Sequence, residues 1–241
     1  MKCLAKIIGF LVLLASNCDT IQAQEKAHNY HGLKVINTTA EYLKSVEKDS
    51  IFMLVSIPDF IPDLVLDIRY ATENNFTRTK VYDSPGAYAR LPVVLALAKA
   101  HKECKQYGLG IKLYDAYRPY SATLKFFGLA SNKSFVAAPW TGSRHNRGCA
   151  LDITLIILAT GEELPMPTAF DDFTERAHPN FTDLPNYLLA HRNLLIEIMK
   201  KHGFEVFHNE WWHYDFKGWE KFPLMDLNFT EIKTANNTLK Q

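Results

Sequence analysis

Two short stretches hold the residues best suited to chemistry. In Ser143-Arg144-His145-Asn146-Arg147-Gly148-Cys149-Ala150-Leu151-Asp152 an imidazole precedes a carboxylate, with a glycine between them. Both groups are good zinc ligands, and Gly148 lets the backbone turn sharply. Alone the pair says little, because an aspartate in an apolar strand can be a paired structural carboxylate. In Glu210-Trp211-Trp212-His213-Tyr214-Asp215-Phe216, His213 offers a third ligand. Two histidines and a carboxylate leave a fourth tetrahedral position open, the layout of a catalytic rather than a structural site. Glu210 is placed to take a proton from water and return it to a leaving amine. A regular strand would point Glu210 and His213 to opposite faces, so this reading requires a bulge or an irregular strand entry at Glu210. A third stretch, Asp115-Ala116-Tyr117-Arg118-Pro119-Tyr120, sets Arg118 between a strand and a helix. A guanidinium there can stabilise an oxyanion, or it can simply cover the helix start.

The elements that must carry these residues follow from apolar spacing and punctuation. Leu64 to Tyr70 and Ile111 to Tyr117 read as strands, and Leu91 to Gln106 as a helix with Pro92 near its start and Gly108 beyond its end. Pro119 opens a second helix to about Leu129. Gly148 to Leu158, rich in β-branched and apolar residues, reads as a central strand. The proline-rich, acidic segment 161–186 reads as an irregular loop, and a loop that long in one domain is usually functional. Tyr187 to His202 is helical, and Phe204–Phe207 with Trp211–Phe216 forms a hairpin. The expected fold is α+β: a single domain with a small, mostly antiparallel central sheet flanked by helices.

The bulk properties exclude some classes. With 27 basic and 26 acidic residues, a net charge of +1 and a 47% hydrophobic fraction over 241 residues, the chain has no basic face for nucleic acid. Lys2 and Lys6, an apolar run from Ile7 to Ala15 and small or polar residues through Ala23 come in the order of a secretory signal peptide. That run is too short to span a bilayer, so the mature chain is expected to lack a transmembrane segment and to be secreted or periplasmic. Cys18 offers a second-ranked reading as a lipoprotein cysteine, for which Asn17 is a poor fit. The expected division is 1–23 signal peptide, 24–50 polar and mobile extension, 51–241 catalytic domain. Cys104 and Cys149 remain in the mature part, too few for a disulfide framework and better read as separate buried thiols.

Together the motifs resemble the peptidase family of D-alanyl-D-alanine dipeptidases and D,D-carboxypeptidases, the M15 or VanX-type family. Its Ser-x-His-x-x-x-x-x-x-Asp pattern is met by Ser143, His145 and Asp152, and its Glu-x-x-His pattern by Glu210 and His213. The resemblance implies one zinc ion per chain on His145, Asp152 and His213, Glu210 as the base, and Arg118 as the transition-state arginine. Asp67-Ile68-Arg69-Tyr70-Ala71-Thr72 and the segment from Phe170-Asp171 to His178 resemble the dipeptidase branch. That branch implies Tyr70 and Ser143 beside a small peptide substrate, Asp171 on its free amino group, and His178 near the site. Cys149 departs from the family's small polar residue. The implied reaction is hydrolysis of D-alanyl-D-alanine. The rival within the superfamily is a D,D-carboxypeptidase or peptidoglycan endopeptidase, which needs an open groove. The rival from another class is an inactive wall-binding module, which intact Glu210 and all three ligands argue against.

Overall fold

The computed structural model describes residues 30–239. The expected signal peptide and Cys18 lie outside them. In chain order the elements are β1 (Val35–Ile36), α1 (Thr39–Lys48), β2 (Leu54–Ser56), α2 (Ile57–Phe60), β3 (Val65–Leu66), β4 (Tyr88–Arg90), α3 (Leu91–Cys104), β5 (Leu109–Asp115), α4 (Tyr120–Leu129), β6 (Ala150–Ile157), α5 (Asn186–Lys201), β7 (Phe204–Phe207), β8 (Glu210–Phe216), β9 (Leu224–Met225) and α6 (Phe229–Thr238). The α+β expectation holds.

The central sheet has the order β3-β5-β6-β8-β7, with β3 parallel to β5 and every other pair antiparallel. Its middle strand β6 is buried at every residue but the last, as a strand covered on both faces must be. Alternation separates its two faces. Leu151 pairs with Tyr214, whose phenol neighbours Cys104 of α3 and Arg192 of α5. Leu151 therefore faces those helices and Asp152 the opposite side, toward the loops. Cys104 and Cys149 are both free, buried thiols. Among the described residues no helix is long and apolar enough to cross a membrane.

Two expectations about the N-terminal half need correction. Within 24–50, residues 35–48 are not a mobile approach but part of the domain. β1 pairs with β9, and α1 buries Tyr42 completely, its hydroxyl accepting from Leu54 N at 3.0 Å and donating to Asn236 Oδ1 at 2.8 Å. The segment looks polar because α1 buries only Tyr42 and Val46 and turns its lysines and glutamates to water. The strand expected over Leu64–Tyr70 shrinks to Val65–Leu66, and the chain then coils through a 3₁₀ turn, Arg69–Ala71. That turn buries Tyr70, whereas a longer strand would have continued along the sheet edge.

Candidate active site

Asp152 and His213 are directly paired on β6 and β8. His145 reaches them from the 3₁₀ turn His145–Arg147, which Gly148 closes at φ 69°. A Cβ at Gly148 would also lie 2.5 Å from Leu54 Cδ2, so glycine is required twice over. The loop is pinned by Arg118 N donating to His145 O at 3.1 Å and Ser143 N to Asn146 Oδ1 at 2.7 Å. The strand irregularity that Glu210 needed is present in β8. Val206 pairs with Tyr214 but Phe207 with Glu210, so the segment between them bulges out of the hairpin ladder. Glu210 Oε2 thereby comes to 3.7 Å from His213 Nδ1.

The trio fits a single small divalent cation. His145 Nε2 and His213 Nδ1 are 3.1 Å apart, and Asp152 Oδ1 lies 3.3 Å from the first and 3.1 Å from the second. Ligands held at about 2.0–2.1 Å around a tetrahedral zinc are separated by roughly 3.3 Å. Asp152 Oδ1 is buried with no hydrogen-bond partner, an orphan acceptor at the point where the three groups meet. The outward ring nitrogens are also held. His145 Nδ1 lies 2.7 Å from Ala116 O, and His213 Nε2 lies 3.0 Å from Asp215 Oδ1. Such partners fix ring orientation and tautomer in metal-binding histidines.

The electrostatics agree. Burial pushes the Asp152 carboxyl up, but the two imidazoles outweigh it and hold it well below the ordinary value. Burial alone would lower His213, yet Asp152 and Asp215 lift it to about 10. Metal binding at such a trio is coupled to loss of protons from its ligands. Glu210 is lifted to about 7, chiefly by burial, with the His213 ring pulling down and Asp152 pushing up. That value suits a group that both accepts and returns a proton near neutrality.

Arg118 follows β5 at the Pro119 entry to α4. Its Nε and Nη2 both donate to Asp115 Oδ2, at 3.1 and 2.7 Å, and Nη2 lies 3.9 Å from Asp152 Oδ2. The guanidinium also sits over the rings of Tyr70 and Phe126, at 5.2 and 4.6 Å. Asp171 stands out within the 161–186 loop. It holds a left-handed backbone, φ 61°, uncommon for a non-glycine residue although Asp tolerates it better than most. Its Oδ1 accepts from Tyr70 OH at 2.9 Å, whereas Oδ2 is buried without a partner. Burial raises its carboxyl to about 8; the Tyr70 bond opposes this, and Asp152 and Glu210 add to it.

Tyr70, Arg118, Ser143, His145, Asp152, Asp171, Glu210 and His213 all line one cavity of about 260 Å³. Ser143 Oγ accepts from His145 N at 3.2 Å, steadying the ligand loop. His178, expected nearby, does not line the cavity; its carbonyl accepts from Arg192 at 3.3 Å. Sequence reasoning missed Asp115, which anchors Arg118 and also accepts from Tyr82 OH at 2.8 Å. It missed Asp215 too, although a residue two beyond His213 on a strand shares its face.

The family model described as Peptidase_M15, D-ala-D-ala dipeptidase, matches residues 52–232. A D-alanyl-D-alanine dipeptidase of Escherichia coli (strain K12) is 32% identical over 177 residues, covering 73% of this chain and 91% of its own. Another of that name, from Enterococcus faecalis, is 33% identical over 186 residues, covering 68% and 90%. A solved D,D-pentapeptidase, VanY in complex with Zn(II), is 17% identical over 66% of this chain and 82% of its own, with a TM-score of 0.33, too distant for a comparison of sites. A family match across most of the chain, with the His145–Asp152–His213 cluster inside the matched span, places this protein in the D-Ala-D-Ala dipeptidase family of M15 peptidases.

Proposed function

We propose that the protein hydrolyses the free dipeptide D-alanyl-D-alanine, with zinc on His145, Asp152 and His213. The observation that carries this reading is Asp171: a half-satisfied carboxylate, held in an unusual backbone, lining the same cavity as the metal trio. A buried carboxylate with a vacant oxygen is matched by a substrate ammonium, and an ammonium held in the same cavity as the metal trio limits the substrate to a single residue before the scissile bond.

Asp171 receives the substrate amine and Tyr70 OH steadies that carboxylate. Arg118, fixed by Asp115, faces the oxygen of the scissile carbonyl and stabilises the charge that develops on it. Zinc, when bound, supplies Lewis acidity that polarises the carbonyl and makes water nucleophilic near neutral pH. Glu210 takes a proton from the attacking water and delivers it to the departing nitrogen, so that the C–N bond breaks and two alanines leave. An exported form, which a leader over 1–23 would produce, meets dipeptide released from the wall rather than the cytoplasmic pool. It suits recycling or scavenging better than depletion of a precursor. Purified protein should release D-alanine from D-alanyl-D-alanine, lose that activity to a chelator and regain it with zinc. A fully loaded protein that leaves the dipeptide intact would sink the proposal.

A further inference from the structure

A free dipeptide carries a carboxylate as well as an ammonium, and burying that carboxylate without a counter-charge is costly. The residues assigned so far do not meet it. Tyr70 OH is committed to Asp171, and Ser143 Oγ, which accepts from a backbone amide, has one uncharged O–H left to offer and no counter-charge. Two guanidiniums line the cavity, Arg118 and Arg144. Arg118 is held by two hydrogen bonds to Asp115. Arg144 is different. Its Nε is buried with no hydrogen-bond partner, 3.5 Å from Asp215 Oδ2, and among the described residues neither terminal nitrogen donates to a protein acceptor. Asp215 is itself engaged with His213 Nε2 at 3.0 Å. The guanidinium is placed all the same: it sits over the rings of Trp219 and Phe207, at 4.8 and 5.4 Å, while the side chain stays 36% exposed. An arginine oriented by aromatic faces, with its fork free, is pre-organised for a carboxylate.

Its location suits that task. Asp171 and Tyr70 are grouped with Phe170 and Phe126, whereas Arg144 is grouped with Phe207 and Asp215 beside His213. The ammonium site and Arg144 therefore have separate neighbours in the cavity they both line, Arg144 on the His213 side, where among the described residues its only ionic contact is Nε with Asp215. We propose that Arg144 binds the free carboxylate of the dipeptide and so sets the C-terminal limit of the substrate. Arg144 becomes a specificity-determining residue, and a peptide that continues beyond the second alanine, or ends in an amide, loses this contact. The assignment rests on the dipeptidase reading above.

The test is calorimetric binding of D-alanyl-D-alanine and its C-terminal amide to zinc-loaded protein in the Glu210→Gln background, where turnover is suppressed. Arg144→Gln is added to keep much of the stem on Phe207 and Trp219, and Arg144→Lys to keep charge without the fork. The free acid should bind better than the amide. Arg144→Gln should weaken the acid by about 10–100-fold, the usual worth of a charge-assisted hydrogen bond, and leave the amide's affinity in place; Arg144→Lys should lie between. Equal weakening of acid and amide would make Arg144 a structural residue, and an unchanged acid affinity would remove it from the site; either overturns the assignment. If the Glu210→Gln protein binds no free dipeptide, and the native protein cleaves none, the dipeptidase reading fails and takes this assignment with it.

Discussion

Replacing Asp171 by Asn should make the empty enzyme more stable and the working enzyme worse. The substitution is chosen for its backbone: at φ 61° Asn fits about as well as Asp, whereas Ala would add strain of its own. Asn also keeps an oxygen for Tyr70 OH, so the change is confined to charge. Burial raises the Asp171 carboxyl from 3.8 to about 8. An acid raised on folding binds more protons in the native state than in the unfolded one across that interval. Its penalty is absent below about pH 4, grows as pH rises and is complete above about pH 8. At about 1.4 kcal/mol per pKa unit this reaches on the order of 4 kcal/mol at pH 7, and less with a divalent cation in the neighbouring site. Asp171→Asn removes it. Thermal melts of zinc-loaded protein should therefore show the variant level with wild type near pH 4. With about half of the full penalty surviving beside the cation, it should melt higher by about 5–10 °C near pH 8, given roughly 2–4 °C per kcal/mol for a domain this size. In parallel, kcat/KM for the free dipeptide should fall by about 10²–10³-fold as the ammonium loses its counter-ion. A variant that melts lower than wild type at pH 8, or that binds and cleaves the dipeptide normally, would refute the reasoning.

The other predictions concern the reacting centre. His145→Ala should remove bound zinc and activity together, and metal analysis showing one zinc per chain in that variant would contradict the ligand assignment. Glu210→Gln should retain zinc while slowing turnover by about 10²–10⁴-fold, as expected for a positioned proton-transfer group; near-normal turnover would mean the water is activated another way. Arg118→Ala should lower kcat by roughly 10²–10³-fold if it faces the developing oxyanion. A change confined to KM would make it a ground-state contact instead.

Much of the site was legible because its chemistry sits in short, local patterns. His145, Gly148 and Asp152 lie on one turn and the strand it feeds, and Glu210 and His213 on one strand, so sequence spacing translates almost directly into proximity. Even the obstacle was legible: period-2 geometry separates Glu210 from His213, and β8 bulges between them. Long-range partnerships were not legible. Asp115 is an unremarkable strand-end acid until Tyr82 and Arg118 arrive from other elements. Arg144 reads as a surface charge until Trp219 and Phe207 orient it. At the N-terminal end α1 escaped notice because it turns most of its side chains to water and Tyr42 meets the domain in part through Asn236, far along the chain.

The central claim is that this cavity selects a free dipeptide, and the most direct measurement compares kcat/KM for D-alanyl-D-alanine with that for its N-acetyl derivative on the same zinc-loaded protein. Acetylation removes the charge that Asp171 is placed to meet and leaves the scissile bond unchanged. The free dipeptide should be cleaved and the acetylated one almost completely rejected, since a buried carboxylate left unpaired discriminates strongly. Equal cleavage of the two would contradict the claim and identify a carboxypeptidase acting on longer chains.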